Sequence, residues 1–299
     1  MNYLILLLLS IIPVIILLIY FEFQDKGKKE PKFLKVKVFK WGILAAILAG
    51  VLELILNSFV ITYIVNEWLM ILFISFVMTG FIEEGLKYLV VKKIIYNDPN
   101  FNEVMDGITY AIIASLGFAM IENVFYVVSG GYTIAVSRAL ISVPAHAMFS
   151  GIMGYYIGKS KINEACGIKC QRLLWKGFLI AVFYHGLFNF FLYTQTWLIF
   201  LVIPQVVLMG YQLNEKIKLA QFEDKVSKIE PRKKNFFQII KIIIGTIFIL
   251  IGVMNILGNL FILLNGDKTY SIESIIIGFL VSILLLLLSF QLLKQQKLQ

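Results

Sequence analysis

Charged side chains are scarce in this chain. Asp, Glu, Lys and Arg make up 15% of its 299 residues, against 60% hydrophobic, and the mean hydropathy is +0.86. That is too little polar surface to cover a water-soluble globule of this size, so a soluble fold is excluded and an integral membrane protein is expected. Cysteine is nearly absent. Cys166 and Cys170 fall in a loop expected to be cytoplasmic, a reducing place where a structural disulfide does not persist. Their CxxxC spacing without a second pair is a weak metal signal, and two free thiols are expected. There is no internal repeat of about 20 to 50 residues, no low-complexity tract and no separate soluble domain. Histidine is equally rare: His146 and His185 are the only two, and both lie inside hydrophobic stretches.

Stretches of about 18 or more mostly apolar residues can each span a bilayer as a helix. Nine occur, near 2-20, 41-63, 68-90, 107-128, 134-158, 173-193, 198-212, 237-264 and 273-293, of which 198-212 is the shortest. Runs such as Leu6-Leu7-Leu8-Leu9 do not alternate as barrel strands do. The expected fold is therefore all-α, a polytopic transmembrane helix bundle of about nine helices. Segment 2-20 has no basic region before it and no small-x-small site after it, so it reads as a retained helix rather than a signal peptide.

Loop charge sets the expected orientation. Segment 21-40 holds seven Lys, 91-106 two, 159-172 three Lys and one Arg, 213-236 six Lys and one Arg, and 294-299 two Lys. The intervening loops together hold one, Lys268. Cytoplasmic loops are enriched in Lys and Arg, so the N-terminus is expected outside and the C-terminus in the cytoplasm. The net charge of +9 is spread over these juxtamembrane loops, which fits contact with the anionic lipid bilayer; no nucleic-acid partner is expected. Four parts follow: a first helix and basic loop (1-40), a core holding nearly all intramembrane ionisable groups (41-212), a polar cytoplasmic linker (213-236) and a C-terminal hairpin (237-299).

A charge at the centre of a spanning helix costs roughly 2.5 to 3.5 kcal/mol on insertion scales, so several in one bundle must face each other or water. Lys87 follows Glu83 by four residues and Glu84 by three, which brings its ammonium to both carboxylates. Such a pair, under opposed pressures, can serve as a general base, or it can be an interfacial ion pair. Glu122 lies about 22 Å from the cytoplasmic end of its helix at the α-helical rise, too deep to snorkel, and needs a partner or a wet cavity. His146, beside Pro144, and His185 both fall about 18 Å from the cytoplasmic ends of theirs. Asn189, four residues after His185, shares its face. A lone His in an apolar helix is usually a packing residue; two at one depth on neighbouring helices suggest one shared site. Glu53 and Asn57 are one turn apart and either line the same cavity or satisfy each other, while Arg138, near an outer helix end, is expected to snorkel.

Taken in order, Glu83-Glu84-x-x-Lys87, Phe118-x-x-x-Glu122, Pro144-x-His146 and His185-x-x-x-Asn189 resemble the PrsW family of intramembrane proteases, within the wider group of CAAX prenyl proteases and bacteriocin self-immunity proteins. The resemblance covers residues 40-212. It implies that Glu83 and Glu84 supply the base that activates water, that His146, His185 and Asn189 hold that water and stabilise the oxyanion, and that Glu122 completes the site. Lys87 would orient the acidic pair and Phe118 would pack beneath it. If zinc binds, the expected ligands are His146, His185 and Glu122. The helix carries no HExxH, which tilts the expectation toward a water held without metal. The implied activity is cleavage of a membrane-anchored protein substrate, such as an anti-sigma factor. The alternative is a proton- or metal-coupled transporter, which predicts matched broken helices in two repeats; the sequence shows no such pair.

Overall fold

In the computed structural model, the described residues are 3-25, 27, 29-165 and 170-225, with isolated positions 256, 282 and 283. Their long apolar runs form helices because a helix satisfies every backbone donor and acceptor within its own segment, as hydrocarbon demands. These are α1 (Tyr3–Gln24), α2 (Lys32–Tyr63), α3 (Glu67–Ile95), α4 (Val104–Ser137), α5 (Val143–Ala165), α6 (Gln171–Tyr193) and α7 (Val202–Lys225). No strand occurs among the described residues. Six helical stretches in this set are long and apolar enough to cross a membrane. The expected last two helices, 237-264 and 273-293, lie outside the described residues, as does Cys166; Cys170 is a half-buried free thiol.

One of the six stretches, Val104–Glu164, is 61 residues long. At about 1.5 Å per residue it would reach about 90 Å, three times a hydrocarbon core, so it must double back. The reversal is at Gly131, whose φ of 74° and ψ of −158° are outside the helical region and favour a residue without Cβ. The contacts agree. An added Cβ on Gly107 would lie 2.3 Å from the Gly154 carbonyl oxygen, Ser115 Oγ donates to the His146 carbonyl at 2.7 Å, and Arg138 Nε donates to Asn123 Oδ1 at 2.6 Å. Every one of these pairs is centred between residues 130 and 131. Helices α4 and α5 therefore form an antiparallel hairpin in one fixed register.

Helix α4 is the pillar of the bundle, buried at every residue from Val104 to Ala119, and α1, α2, α5 and α7 pack around it. Its start is capped from two sides. Asp106 Oδ2 accepts from the Asn102 and Glu103 amides at 2.7 Å each, and Asp224 of α7 accepts from the Val104 and Met105 amides at 2.6 and 2.9 Å, satisfying donors that a helix cannot satisfy itself. Because α7 runs to Lys225 and buries Leu213, Ile217 and Ala220, the first half of the expected linker is a packed helix. Helix α6 lies against α5 and α3, and those three helices, backed by α4, enclose the polar groups.

Candidate active site

Glu83, Glu84 and Lys87 stand where α3 changes from a π-helical run, Ile74–Glu83, to an α-helical one, Glu84–Val90. Such wide turns are uncommon and concentrate at functional places. The misfit they create is partly repaired by Thr79, whose Oγ1 donates to the Ser75 carbonyl at 2.7 Å. Lys87 Nζ reaches back to Glu84 Oε1 at 2.8 Å and Glu83 Oε2 at 3.3 Å. It also donates to His146 Nδ1 at 3.0 Å and lies 4.2 Å from the centre of the Phe118 ring. Lys87 and Glu84 are 0% exposed and Glu83 is 3% exposed, so the spacing-based ion pair is a buried one.

The two histidines meet, with ring centres 5.0 Å apart. An ionised carboxylate only accepts, so the imidazole nitrogens facing Glu84 and Glu122 must donate. His185 Nδ1 thus donates to Glu84 Oε1 at 2.9 Å, and His146 Nε2 donates to Glu122 Oε2 at 2.8 Å. Phe149 stacks on His185 at 4.7 Å and fixes its plane. Helix α6 comes this close to α3 because Gly186 has no side chain: an added Cβ would lie 2.4 Å from Phe76. Asn189, expected to help hold the water, lies one turn on. Its Nδ2 donates to Thr79 Oγ1 at 2.9 Å, which secures the π-helical turn that carries Glu83.

Arg138 does not snorkel. It is 12% exposed, and beyond its bond to Asn123 its guanidinium reaches Glu122 Oε2 at 3.3 Å and lies 4.3 Å from the Tyr126 ring centre. Glu122 therefore has Arg138 and His146 as the partners its depth requires. Ser150 was missed by sequence reasoning; its Oγ donates to Glu84 Oε2 at 2.9 Å. The signal was present, since Ser150 follows His146 by four residues and so shares its helix face.

Three donor groups lie within 4.8 Å of one another: Glu83, His146 and His185. This differs from the expected set, in which Glu122 stood in place of Glu83. The reason is rotational. Glu122 approaches His146 from the Nε2 side and backs it, while Glu83 faces the His185 Nε2 that Glu84 leaves free, and Lys87 lies between Glu83 and His146 Nδ1. Glu83 and Glu122 also line a cavity of about 560 Å³ between α2, α3 and α4, together with Glu53 and Phe118. The arrangement pairs an enclosed cluster of acid, base and cation with a cavity that Glu83 reaches and Glu84 does not. That combination suits hydrolysis, which needs a positioned water, a group to take its proton and charge to stabilise the oxyanion.

The comparisons with known proteins agree with this chemistry. Residues 30–212 match the model of the PrsW family intramembrane metalloprotease. The chain is 35% identical over 237 residues to Protease PrsW of Clostridioides difficile, covering 78% of this chain and 94% of the relative. To Protease PrsW of Geobacillus kaustophilus it is 30% identical over 227 residues, covering 75% and 96%, and to that of Bacillus subtilis 30% over 213, covering 71% and 94%. No solved structure matches. The family model takes in the elements that carry the cluster, from α2 to the first half of α7, and the relatives are covered almost end to end: the chain belongs to the PrsW family of intramembrane metalloproteases and is a multi-pass membrane protease.

Proposed function

We propose that this protease hydrolyses a membrane-anchored protein, an anti-sigma factor or a similar single-span regulator, with Glu83 as the carboxylate that faces the attacking water. One observation carries the assignment. Glu84 is fully engaged, its Oε1 by Lys87 and His185 and its Oε2 by Ser150, whereas Glu83 has one hydrogen bond, the 3.3 Å contact with Lys87, and lines the cavity. Glu84 then orients and Glu83 reacts.

The donor set fits a zinc ion. Two imidazoles and a carboxylate are a catalytic zinc set, and a carboxylate behind each imidazole is the usual outer support; here Glu84 and Glu122 supply it. With Nδ1 protonated, His185 presents a bare Nε2 to Glu83 Oε2 at 3.8 Å, two acceptors that only water protons or a cation can bridge. Glu83, His146 and His185 would hold the ion, His146 Nδ1 exchanging its bond from Lys87 for the metal; the ion, when bound, would polarise the scissile carbonyl and acidify water. The chain's own groups do the rest. Glu83 faces the water, Lys87 offsets the charge of both acidic residues and holds them and His146 in place through its three hydrogen bonds, and Glu122, itself held by Arg138, fixes the plane and tautomer of His146. The loop charges support nine spans with the N-terminus outside and the C-terminus cytoplasmic.

The test is cleavage of single-span candidate substrates by purified protein in liposomes, comparing wild type with Glu83→Gln, Glu84→Gln and His185→Ala. Loss of cleavage in all three is expected; undiminished cleavage in all three overturns the site. Chelation followed by zinc add-back tests the cofactor.

A further inference from the structure

The cavity beside Glu83 has a wall that the proposed hydrolysis does not use. On α2, Ala46, Ala49, Gly50, Glu53 and Asn57 face it, spaced by three and four residues so that they form one stripe. Ile47, Val51 and Leu54 flank the stripe, and at Gly50 the wall is bare backbone, since an added Cβ would meet nothing within 4 Å. The stripe runs from this open stretch to Glu53, and the opposite wall carries Glu83 and Glu122. The cavity thus joins this stretch of α2 to the two carboxylates of the cluster.

Glu53 is the anomaly on that path. Its Oε1 is shielded from solvent and has no hydrogen-bond partner, so Asn57, one turn on, does not satisfy it. Glu83 has Lys87 as its ion-pair partner and Glu122 has Arg138, with a hydrogen bond from His146 besides, whereas no ion pair is found for Glu53 among the described residues. A shielded carboxylate oxygen without a donor is costly unless something supplies one. In a cavity with three carboxylates in its walls and no Lys or Arg among the lining residues, the complementary occupant is cationic. We propose that Glu53 is a specificity-determining residue: the scissile segment of the substrate enters alongside α2, with its backbone over Gly50, and Glu53 receives a Lys or Arg side chain borne near the cleaved bond. This rests on the cavity being the approach to Glu83, as the proposed hydrolysis requires.

The test uses the full-length protein in liposomes and synthetic single-span peptides identical except at one position, scanned through the outer half of the span as Lys, Leu or Glu. At one register wild type is expected to prefer Lys over Leu by about tenfold or more in kcat/KM, the scale on which a site built for a polar partner rejects its absence. Glu53→Gln should reduce that preference to within about threefold, and Glu53→Lys should invert it toward the Glu peptide, an exchange that misfolding cannot mimic. Cleavage of Lys, Leu and Glu peptides with equal efficiency at every register overturns this proposal alone and leaves the cavity to lipid chains. Failure of wild type to cleave any peptide, matched by Glu83→Gln, overturns the hydrolysis reading and this one with it.

Discussion

Replacing Lys87 by Met isolates the ion cluster as a source of stability. Methionine keeps an unbranched stem over Phe118 but removes a 0% exposed ammonium. Glu83 and Glu84, 3% and 0% exposed, then have no Lys or Arg partner among the described residues. Breaking a buried ion pair from one side costs about 3 to 5 kcal/mol, because the charge left behind is uncompensated. At roughly 2 to 4 °C per kcal/mol for a unit of this size, the melting temperature in detergent should fall by about 6 to 20 °C. The double variant Lys87→Met/Glu84→Gln removes one orphaned charge and should recover about 1 to 3 kcal/mol of the loss. Both are read by thermal unfolding of the purified protein, with the catalytic assay alongside. A Lys87→Met protein that melts within about 2 °C of wild type would refute the reasoning, as would a double variant less stable than the single. Either result would mean that water reaches the cluster and screens it.

Four further outcomes follow from the geometry. Glu83→Gln should lower kcat by about 10²- to 10⁴-fold, the range for loss of a general base, with little change in melting temperature, whereas Glu84→Gln, which disturbs contacts with Lys87, His185 and Ser150, should lower both; a parallel melt and kinetic series separates them. Gly186→Ala places a methyl 2.4 Å from Phe76 and should cost about 1 to 3 kcal/mol of stability by overpacking, with activity lost as α6 moves from α3. Metal content per chain, read by atomic emission, should drop in Glu83→Gln and His185→Ala but persist in Asn189→Ala, because Asn189 bonds to Thr79 and supplies no ligand. Asp224→Asn weakens the cap on the Val104 and Met105 amides and should cost about 0.5 to 2 kcal/mol without touching kcat.

Hydropathy made the bundle legible because each span had only to be long and apolar, and the spacing of Glu83, Glu84 and Lys87 made their ion pair legible because it lies within one helix turn. Facts between helices were harder. Which of Glu83 and Glu84 faces the open space depends on how α3 is rotated, and a π-helical run with no simple sequence signature sets that rotation. Glu122 was expected as a ligand because two His and one Glu make a zinc set, but such a set does not say from which side each carboxylate approaches His146. Arg138 looked like a snorkelling residue because its partners, Asn123 and Glu122, lie 15 and 16 positions away across a reversal. The glycines that permit close approach read in the sequence only as ordinary glycines of membrane helices.

The hairpin of α4 and α5 sets a rule for which changes in length the protein can survive. Connections between helices usually absorb insertions cheaply, but here the helices run into the bend at Gly131 with little slack, and the three pairs that share its centre include Ser115 with His146 and Asn123 with Arg138. One residue added within the helical arms would advance everything beyond it by about 1.5 Å and turn it by about 100°, carrying His146 away from Glu122 and Lys87. The distance along the chain from Glu122 to His146 thus works as a ruler, and homologous chains with the same chemistry should conserve that count even where their side chains differ.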